Sequence, residues 1–259
     1  MVGVKVMDTT RRTTLYEGSQ IREATGDAIR PGGLTLTERA LSLGPFPAGA
    51  KVLDVGCGVG ATVEHLITHH QLTAVGVDPS PLLLESGRAR RPDLQLIEAA
   101  GENLPFIDGE MDGIFAECTL SVMENADQAL AEFFRVLKNG GQLVVSDLYA
   151  RNPEGVGDLR QLPMNSCLTG AMPKQELLDK LEANGFEVVL WEDHSRLLAE
   201  LTAQLIFSSG SLEIFWGQAT CGTVDCLDVR QAASRSKPGY FLLLARKKVN
   251  FGEAIGHDE

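Results

Sequence analysis

Three glycines and an aspartate occupy alternate positions in one short stretch of the chain. Residues 51–62 read KVLDVGCGVGAT, so that Asp54 is followed by Gly56, Gly58 and Gly60. Because glycine has no Cβ, three such residues let backbone N–H groups approach a ligand closely. The residues that follow have the pattern of a helix whose N-terminus would face the same ligand. The segment therefore predicts a site for a nucleotide-like cofactor.

Two kinds of cofactor fit this glycine pattern. Gly56, Gly58 and Ala61 satisfy the dinucleotide fingerprint G-x-G-x-x-G/A, and Asp78 follows roughly 20 residues later, where a ribose-binding acid belongs. Asp54 argues against a pyrophosphate, because its negative charge would face the phosphates. A cofactor with a cationic amino group would be stabilised by the same charge. A nicotinamide- or flavin-dependent oxidoreductase nevertheless stays open as an alternative at this point.

Length, charge and cysteine content narrow the class of protein. The 259 residues suffice for one large domain, and the formal net charge is −12, from 35 acidic against 23 basic residues. A nucleic-acid-binding protein needs a clustered basic surface, so the acidic balance argues against nucleic acid as a partner. No window approaches the length of an apolar membrane span. Five cysteines without the spacing of a disulfide scaffold favour a reducing cytoplasm.

Short apolar runs alternate with helical patterns from residue 51 onward. The expected strands are Lys51–Val55, Thr73–Val77, Leu94–Glu98, Gly113–Glu117 and Gln142–Ser146, followed by FEVVLW at 186–191 and GYFLLLARKK at 239–248. The expected helices lie at about 60–69, 81–89, 126–138, 174–184 and 195–207. Strands and helices in alternation predict an α/β fold, a Rossmann-like doubly wound sheet.

The chain divides into three parts by pattern. Residues 1–50 contain two helix-like patches joined by RPGG, and 51–249 form the main domain. Within that domain, 151–172 is rich in proline and glycine and is expected to be a loop over the active edge of the sheet, whereas 195–237 is a C-terminal helical portion. Residues 250–259 are expected to be a loose tail.

Four motifs follow one another in the order and spacing of a known enzyme family. After the glycine loop, VGVDPSP places Asp78 at the end of the second strand, and GENLPFIDGEMDGIFAE and FFRVLKNGGQLVVSD come next. Over about residues 45–150 the chain thereby resembles the class I S-adenosylmethionine-dependent methyltransferases. The resemblance implies S-adenosylmethionine as the cofactor and N-terminal helices that cap it. It also implies a seven-stranded sheet whose last strand is antiparallel, which GYFLLLARKK fits.

The resemblance also implies a role for particular residues. Asp54 holds the methionine end of the cofactor, and Asp78 accepts hydrogen bonds from both ribose hydroxyls. Pro79 lies against the adenine, and the end of the fourth strand runs past the sulfonium. The full set of implied cofactor-binding residues is Asp54, Gly56, Cys57, Gly58, Gly60, Asp78, Pro79, Gly101, Glu102, Glu117 and Cys118. Tyr16 is the aromatic residue of the N-terminal segment expected near this site.

The chain departs from the family pattern at one position. Many relatives carry an acidic residue two positions after the third strand, where it receives the adenine amino group, and here that position is Ala100. Either Glu102 replaces that acid, or backbone and packing hold the adenine.

Three cysteines suggest a particular kind of methyl acceptor. Cys167, in SCLTGAMPKQELLDKLEANGFEVV, resembles a metalloid-binding cysteine of the arsenite methyltransferases, and Cys221 and Cys226 in CGTVDC lie where that family carries another. Thiolates suit soft centres such as As(III). The chain lacks a clear counterpart of that family's N-terminal cysteine and departs from it after residue 185. Buried, inert thiols are therefore the open alternative.

The five histidines do not point to a catalytic base or a metal site. His65, His69 and His70 lie on the first helix of the main domain, His194 follows the sixth strand, and His257 is in the tail. The leading hypothesis is thus an S-adenosylmethionine-dependent methyltransferase acting on a small molecule. Its more specific version has a thiol or a metalloid such as arsenite as the methyl acceptor. A protein that binds S-adenosylmethionine without catalysis is the other alternative. The pattern gives no oligomeric state.

Overall fold

The apolar runs of the sequence form the strands of a central β-sheet. The structure is a computed structural model, and it describes residues 14–18, 21–22, 25–220 and 224–249. Its strands are β1 Lys51–Val55, β2 Thr73–Asp78, β3 Leu96–Glu98, β4 Met111–Glu117, β5 Leu137–Ala150, β6 Met172–Pro173, β7 Phe186–Asp193 and β8 Pro238–Lys247. The predicted strands are all present, with β5 longer at both ends and β3 shorter at its start.

Helices connect these strands and flank the sheet. They are α1 Thr14–Glu17, α2 Thr35–Leu43, α3 Ala61–His70, α4 Pro81–Arg90, α5 Ala126–Val136, α6 Val156–Gln161, α7 Lys174–Ala183, α8 Ser195–Ser209, α9 Leu212–Ala219 and α10 Cys226–Ser236. Side-chain hydrogen bonds cap the N-termini of several of these helices. The Ser80 hydroxyl accepts from the Leu83 N–H at 3.3 Å before Pro81, and the Asn125 side chain accepts from the Gln128 N–H at 3.1 Å.

The strand order confirms the predicted fold class. The sheet runs β3-β2-β1-β4-β5-β8-β7, with the short β6 paired beside β5. Strands β1 to β6 pair in parallel, whereas β8 is antiparallel to both β5 and β7. The antiparallel last strand is the one that GYFLLLARKK predicted. The only addition to the expected sheet among the described residues is the two-residue β6.

Both faces of the sheet are buried, which explains its continuous apolar strands. Along β8, Tyr240 and Leu242 pack into one hydrophobic cluster, and Phe241 and Leu243 pack into the other. Successive side chains of a strand point to opposite faces, so a strand covered by helices on both sides needs an apolar residue at every position.

The segment 151–172 is more regular than its composition suggested. A 3₁₀ turn at Pro153–Gly155 leads into α6 at Val156–Gln161, and Leu159 of that helix is fully buried. The expectation of a plain loop was wrong here. Proline breaks the interior of a helix but fits its first turn. The Asn152 side chain accepts from the Glu154 N–H at 3.3 Å and so caps the 3₁₀ turn that precedes α6.

The ends of the chain are described only in part. Residues 1–13, 19–20 and 23–24 lie outside the described residues, as does the predicted tail at 250–259. The division into an N-terminal cap and a main domain stays a prediction. Nowhere in the described part of the chain is a helix both long and apolar enough to cross a membrane.

Candidate active site

Three carboxylates meet at one edge of the sheet. Asp54, Asp78 and Glu117 stand at or near the carboxyl ends of β1, β2 and β4, which are neighbours in the sheet. The chain reverses its direction of winding between β1 and β4, and doubly wound sheets bind ligands in the crevice at such a point. The topology therefore places the acidic residues around a ready-made crevice.

The glycine loop forms one wall of this crevice. Gly58 has a φ of +53°, a conformation that side-chain-bearing residues seldom adopt, and its N–H donates to the Asp78 carboxylate at 2.8 Å. A Cβ built on Gly58 would meet no atom within 4 Å, whereas one on Gly56 would collide with the Thr119 side chain. Gly56 is thus needed for packing, and Gly58 leaves space that a ligand can fill.

A cavity of about 760 Å³ opens over the loop. Every implied cofactor-binding residue except Gly60 lines it, namely Asp54, Gly56, Cys57, Gly58, Asp78, Pro79, Gly101, Glu102, Glu117 and Cys118. Gly60 lies at the N-terminus of α3 instead. Tyr16 also lines the cavity, where the sequence analysis expected it. We call this space the first cavity.

Asp54 is held in an environment that opposes its charge. The residue is only 3% exposed. Burial, together with the nearby Glu117 carboxylate, raises the pKa of Asp54 to about 8, although Arg30 acts in the opposite direction. A cation placed beside Asp54 would stabilise its ionised form. The first cavity thus suits a ligand with a positively charged amino group.

Asp78 is fixed by the backbone on either side of it. Its two carboxylate oxygens accept from the N–H groups of Gly58 at 2.8 Å and Ser80 at 2.9 Å. Burial raises the pKa of Asp78 above its ordinary value. Each carboxylate oxygen can accept a second hydrogen bond. The side chain can therefore also receive the two hydroxyls of a ribose in the cavity.

A buried ion pair that sequence reasoning missed closes the floor of the first cavity. Arg30 and Glu117 lie 2.9 Å apart, with side chains 7% and 1% exposed. The Arg30 guanidinium also donates to the hydroxyls of Thr37 at 2.8 Å and Thr62 at 3.0 Å, and the Thr37 hydroxyl donates to Glu117 at 2.9 Å. The only sequence signal for Arg30 was its place before PGG, which was interpreted as a turn.

Glu102 is engaged at the start of a helix. One of its carboxylate oxygens accepts from the N–H groups of Glu124 at 2.8 Å and Asn125 at 3.3 Å, where α5 begins. Ala100 and Gly101 line the first cavity beside it. Both alternatives for holding an adenine stay open, because the second carboxylate oxygen of Glu102 is not engaged in these bonds.

A second cavity, of about 540 Å³, adjoins the first. Apolar side chains of the C-terminal helices form much of its wall, including Leu198, Leu201 and Leu205 of α8 and Phe215 and Trp216 of α9. The leucines lie on the helix that the sequence predicted at 195–207. This space is suited to an apolar small molecule.

The two cavities meet at four residues. Tyr16, Ile29, Arg30 and Cys118 line both of them. Cys118 has a φ of +56°, which is uncommon for a residue with a side chain and places it at the very end of β4. The two cavities therefore adjoin each other at these four side chains.

Cys118 and Cys167 lie against each other at this junction. A hydrogen bond between the two thiols, with burial, raises the pKa of Cys118 well above its ordinary value. The Cys167 N–H donates to the Tyr16 hydroxyl at 2.8 Å, and the Cys118 thiol lies 3.5 Å from the Tyr240 hydroxyl. Sequence analysis assigned Cys118 to the cofactor and Cys167 to the acceptor, without foreseeing their contact.

The other two cysteines of the predicted thiolate group are placed differently. Cys226 lines the second cavity, but its thiol donates to the Glu213 carbonyl at 3.2 Å. Cys221 lies outside the described residues. In the described part of the chain no three cysteine sulfurs come within 4.8 Å of one another. A site formed by Cys167, Cys221 and Cys226 stays a prediction.

The family comparison supports the motif-based assignment. Residues 53–145 match the family model described as a methyltransferase domain. Over 127 residues the chain is 34% identical to the demethylmenaquinone methyltransferase of Renibacterium salmoninarum, which covers 48% of this chain and 53% of that protein. The chain spans about half the length of the first curated relatives it matches.

Solved structures share the fold over most of the chain. The cyclase SpnF is similar with a TM-score of 0.72 and 23% identity, over 92% of this chain and 94% of that one. Phosphoethanolamine N-methyltransferase 2 of Haemonchus contortus, in complex with S-adenosylhomocysteine, is similar with a TM-score of 0.71 and 16% identity, over 90% and 57%. These structures show the fold of the chain, whereas the family model and the demethylmenaquinone relative show that residues 53–145 belong to a class I S-adenosylmethionine-dependent methyltransferase domain.

Proposed function

We propose that the protein transfers a methyl group from S-adenosylmethionine in the first cavity to a small apolar acceptor in the second. The observation that carries this proposal is the junction of the two cavities at Tyr16, Ile29, Arg30 and Cys118. Methyl transfer is an in-line displacement, so cofactor and acceptor must approach from opposite sides of one point. Two adjoining cavities of different polarity meet that requirement.

The residues of the first cavity have matching tasks. S-adenosylmethionine supplies a methyl group on a positively charged sulfur. Asp54 would hold the amino end of the molecule, Asp78 would accept from the ribose hydroxyls, and the open space over Gly58 would admit the chain between them. The buried Arg30–Glu117 pair fixes the N-terminal segment against the floor of the cavity.

The protein contributes alignment and exclusion of water rather than a strong base. None of the histidines in the described ranges lines either cavity. Burial raises the pKa of Tyr16 well above its ordinary value, so its hydroxyl stays protonated and does not serve as a base. An acceptor without a base must ionise easily by itself, as phenols, quinols and thiols do. One relative is named for the methylation of demethylmenaquinone.

Filling the second cavity tests where the acceptor binds. We expect Leu198→Trp to lower methyl transfer more than about tenfold, because the larger ring occupies acceptor space. The affinity for S-adenosylmethionine should stay unchanged. Turnover is measured as release of S-adenosylhomocysteine with a panel of phenols, quinols, thiols and arsenite, and affinity by calorimetry.

A matched control lies on the same helix. Ile206 of α8 is exposed and lines neither cavity, so Ile206→Trp should leave both turnover and affinity unchanged. Equal loss of turnover in the two variants would place the acceptor elsewhere. If wild-type protein binds S-adenosylmethionine but methylates no member of the panel, a non-catalytic role or the different chemistry of the similar cyclase fold becomes the better hypothesis.

Cofactor binding should be coupled to the ionisation of Asp54. With a pKa of about 8, its carboxyl is mostly protonated at pH 7 in the free protein. A bound cation favours the ionised form, so the complex holds fewer protons than the free protein. Linkage then requires binding to release about one proton near pH 7 and to strengthen as pH rises towards the pKa of the free protein.

Calorimetry in buffers of different ionisation enthalpy measures this release. The range from about pH 6 to pH 7.5 is suitable, because it lies below the ordinary pKa of the ligand's own α-amino group. Asp54→Asn should bind more weakly and release no proton from this position. An unchanged proton count in that variant would show that Asp54 does not face the amino group.

A soft acceptor is a second candidate, favoured by the contact of Cys118 with Cys167. Two thiols at the junction of the cavities could hold a metalloid such as As(III) next to the methyl donor, since thiolates are its preferred ligands. A predicted third ligand would come from Cys221 or Cys226. The free cysteines among the described residues also agree with a reducing cytoplasm, which we propose as the location.

Arsenite titration distinguishes this candidate from a conventional acceptor. If the thiol pair is functional, we expect the wild-type protein to bind and methylate arsenite. The variant Cys167→Ser should then lose both arsenite binding and arsenite methylation. Cys57→Ser is the control for arsenite binding, because Cys57 lies in the glycine loop and lines the first cavity but not the second. Normal methylation of a phenol or quinol by Cys167→Ser, without arsenite binding in wild type, would rule the soft acceptor out.

A further inference from the structure

Two histidines of α3 and a glutamate of α2 converge on the protein surface. His65 and His70 of α3 both direct their Nε2 atoms at one oxygen, Oε1 of Glu38 on α2. The distance from His70 Nε2 to that oxygen is 2.8 Å, and His65 Nε2 is also in hydrogen-bond contact with it. One ligand atom from each of the three residues lies within 4.8 Å of the others.

The three side chains are accessible to solvent, and their ligand atoms already lie close together. The side chains of His65 and His70 are 14% and 26% exposed, and that of Glu38 is 50% exposed. The His65 ring is further fixed by stacking on His69, with ring centroids 4.5 Å apart. Partly buried imidazoles with a mobile carboxylate let the three atoms close around an ion with only small movements.

From this geometry we propose that Glu38, His65 and His70 form a binding site for a divalent transition-metal ion, for which Zn²⁺ is the best fit. Zn²⁺ is bound in proteins by neutral imidazole nitrogens and carboxylate oxygens, with a fourth position open to water. The ion would replace the hydrogen bonds that now join the two imidazole rings to Glu38. The net charge of −12 favours binding of cations in general.

A metal at this position joins the N-terminal segment to the main domain. Glu38 lies on α2, next to Thr37, whose hydroxyl donates to Glu117 in the first cavity. The histidines lie on α3, which also carries Thr62, a partner of Arg30. The ion would therefore tie together the two helices that hold the buried Arg30–Glu117 pair. This inference is independent of the proposed acceptor and of methyl transfer itself.

The test uses the full-length protein without an affinity tag, titrated with Zn²⁺ and, for its visible absorption, Co²⁺. We expect one ion per chain, a rise in Tm on adding Zn²⁺, and the absorption of a four-coordinate Co²⁺ site. Loss of a partner in the outer shell of a metal site weakens binding 10- to 100-fold. Glu38→Gln and His70→Gln, which remove a ligand, should weaken it more than about 100-fold.

Two control variants distinguish a specific metal site from non-specific metal binding by surface histidines. His69 is on the same helix, but its Nδ1 is bonded to the Thr68 hydroxyl at 2.8 Å and it is not one of the three ligands. His194 pairs with Glu192 at 2.9 Å without a second histidine. His194→Gln should bind Zn²⁺ as wild type does, and His69→Gln, which removes a stacking partner of His65 but no ligand, should lose far less affinity than His70→Gln. Absence of binding in wild type, or equal loss in His69→Gln and His70→Gln, would overturn the proposal.

Because Glu38 is half exposed, Glu38→Gln should fold normally even if a histidine variant does not. Its Tm without metal should equal that of wild type to within a few degrees, and its Tm should no longer rise with Zn²⁺. A rise equal to that of wild type would also overturn the proposal.

Discussion

Gly58→Val is expected to abolish binding of S-adenosylmethionine. The substitution places a branched side chain in the open space over the loop, where the cofactor would lie. It also forces a β-branched residue to a φ of +53°, at a cost of about 1–2 kcal/mol. We expect the affinity to fall more than about 100-fold, which corresponds to roughly 3 kcal/mol. Calorimetry with S-adenosylmethionine and S-adenosylhomocysteine measures the loss.

The control variant Gly109→Val shows whether Gly58→Val loses affinity because its side chain fills the cofactor site or because it strains the backbone. Gly109 has a φ of +66°, also has no atom within 4 Å of a built Cβ, and lines neither cavity. It should lose a similar amount of stability and keep its affinity for the cofactor. If both variants lose affinity equally, backbone strain and not the filled space is responsible. Normal binding by Gly58→Val would remove the glycine loop from the cofactor site.

The second large effect is expected for Arg30→Met. Removing one member of a buried ion pair leaves the other charge without compensation, which costs about 3–5 kcal/mol. Here Glu117 would remain beside Asp54, and both carboxyls are buried. The free energy of unfolding, measured by urea denaturation without ligand, should fall by about that amount. Cofactor binding should weaken as well, because Arg30 lines the first cavity.

The double variant Arg30→Met with Glu117→Gln tests the mechanism of this loss. It removes both charges, so it should be more stable than Arg30→Met alone, and adding the single variant Glu117→Gln completes the double-mutant cycle that measures the coupling of the pair. Arg39 pairs with Glu192 at 2.7 Å on the surface, where water screens the charges. Arg39→Met should therefore change stability little. A double variant less stable than either single one would contradict the proposed cause.

The sequence by itself determined the elements that depend on local pattern. Apolar runs predicted the strands, because the central strands are buried on both faces by the flanking helices. The order of those elements then required a doubly wound sheet, and its carboxyl ends brought Asp54 and Asp78 together. The glycine loop was recognisable for a similar reason, since the residues that form it are contiguous.

Only the tertiary structure decided the parts of the site that come from distant segments. Thr37 and Glu117 are 80 positions apart, yet they share a hydrogen bond under the first cavity. Cys118 meets Cys167 across the junction of two cavities. No periodicity links such positions, because their contact depends on how α2 and the segment after β5 pack onto the completed sheet.

The same reason explains Glu38, His65 and His70. Sequence spacing shows that the two histidines share a helix, but the glutamate comes from a helix that precedes β1. A ligand set divided in this way leaves no motif in the sequence, since its spacing is set by the packing of α2 against α3. The chain's local patterns thus specify the cofactor-binding edge of the sheet. The buried ion pair, the acceptor-side cavity and the histidine–glutamate cluster arise from the contacts between elements that the folded chain brings together.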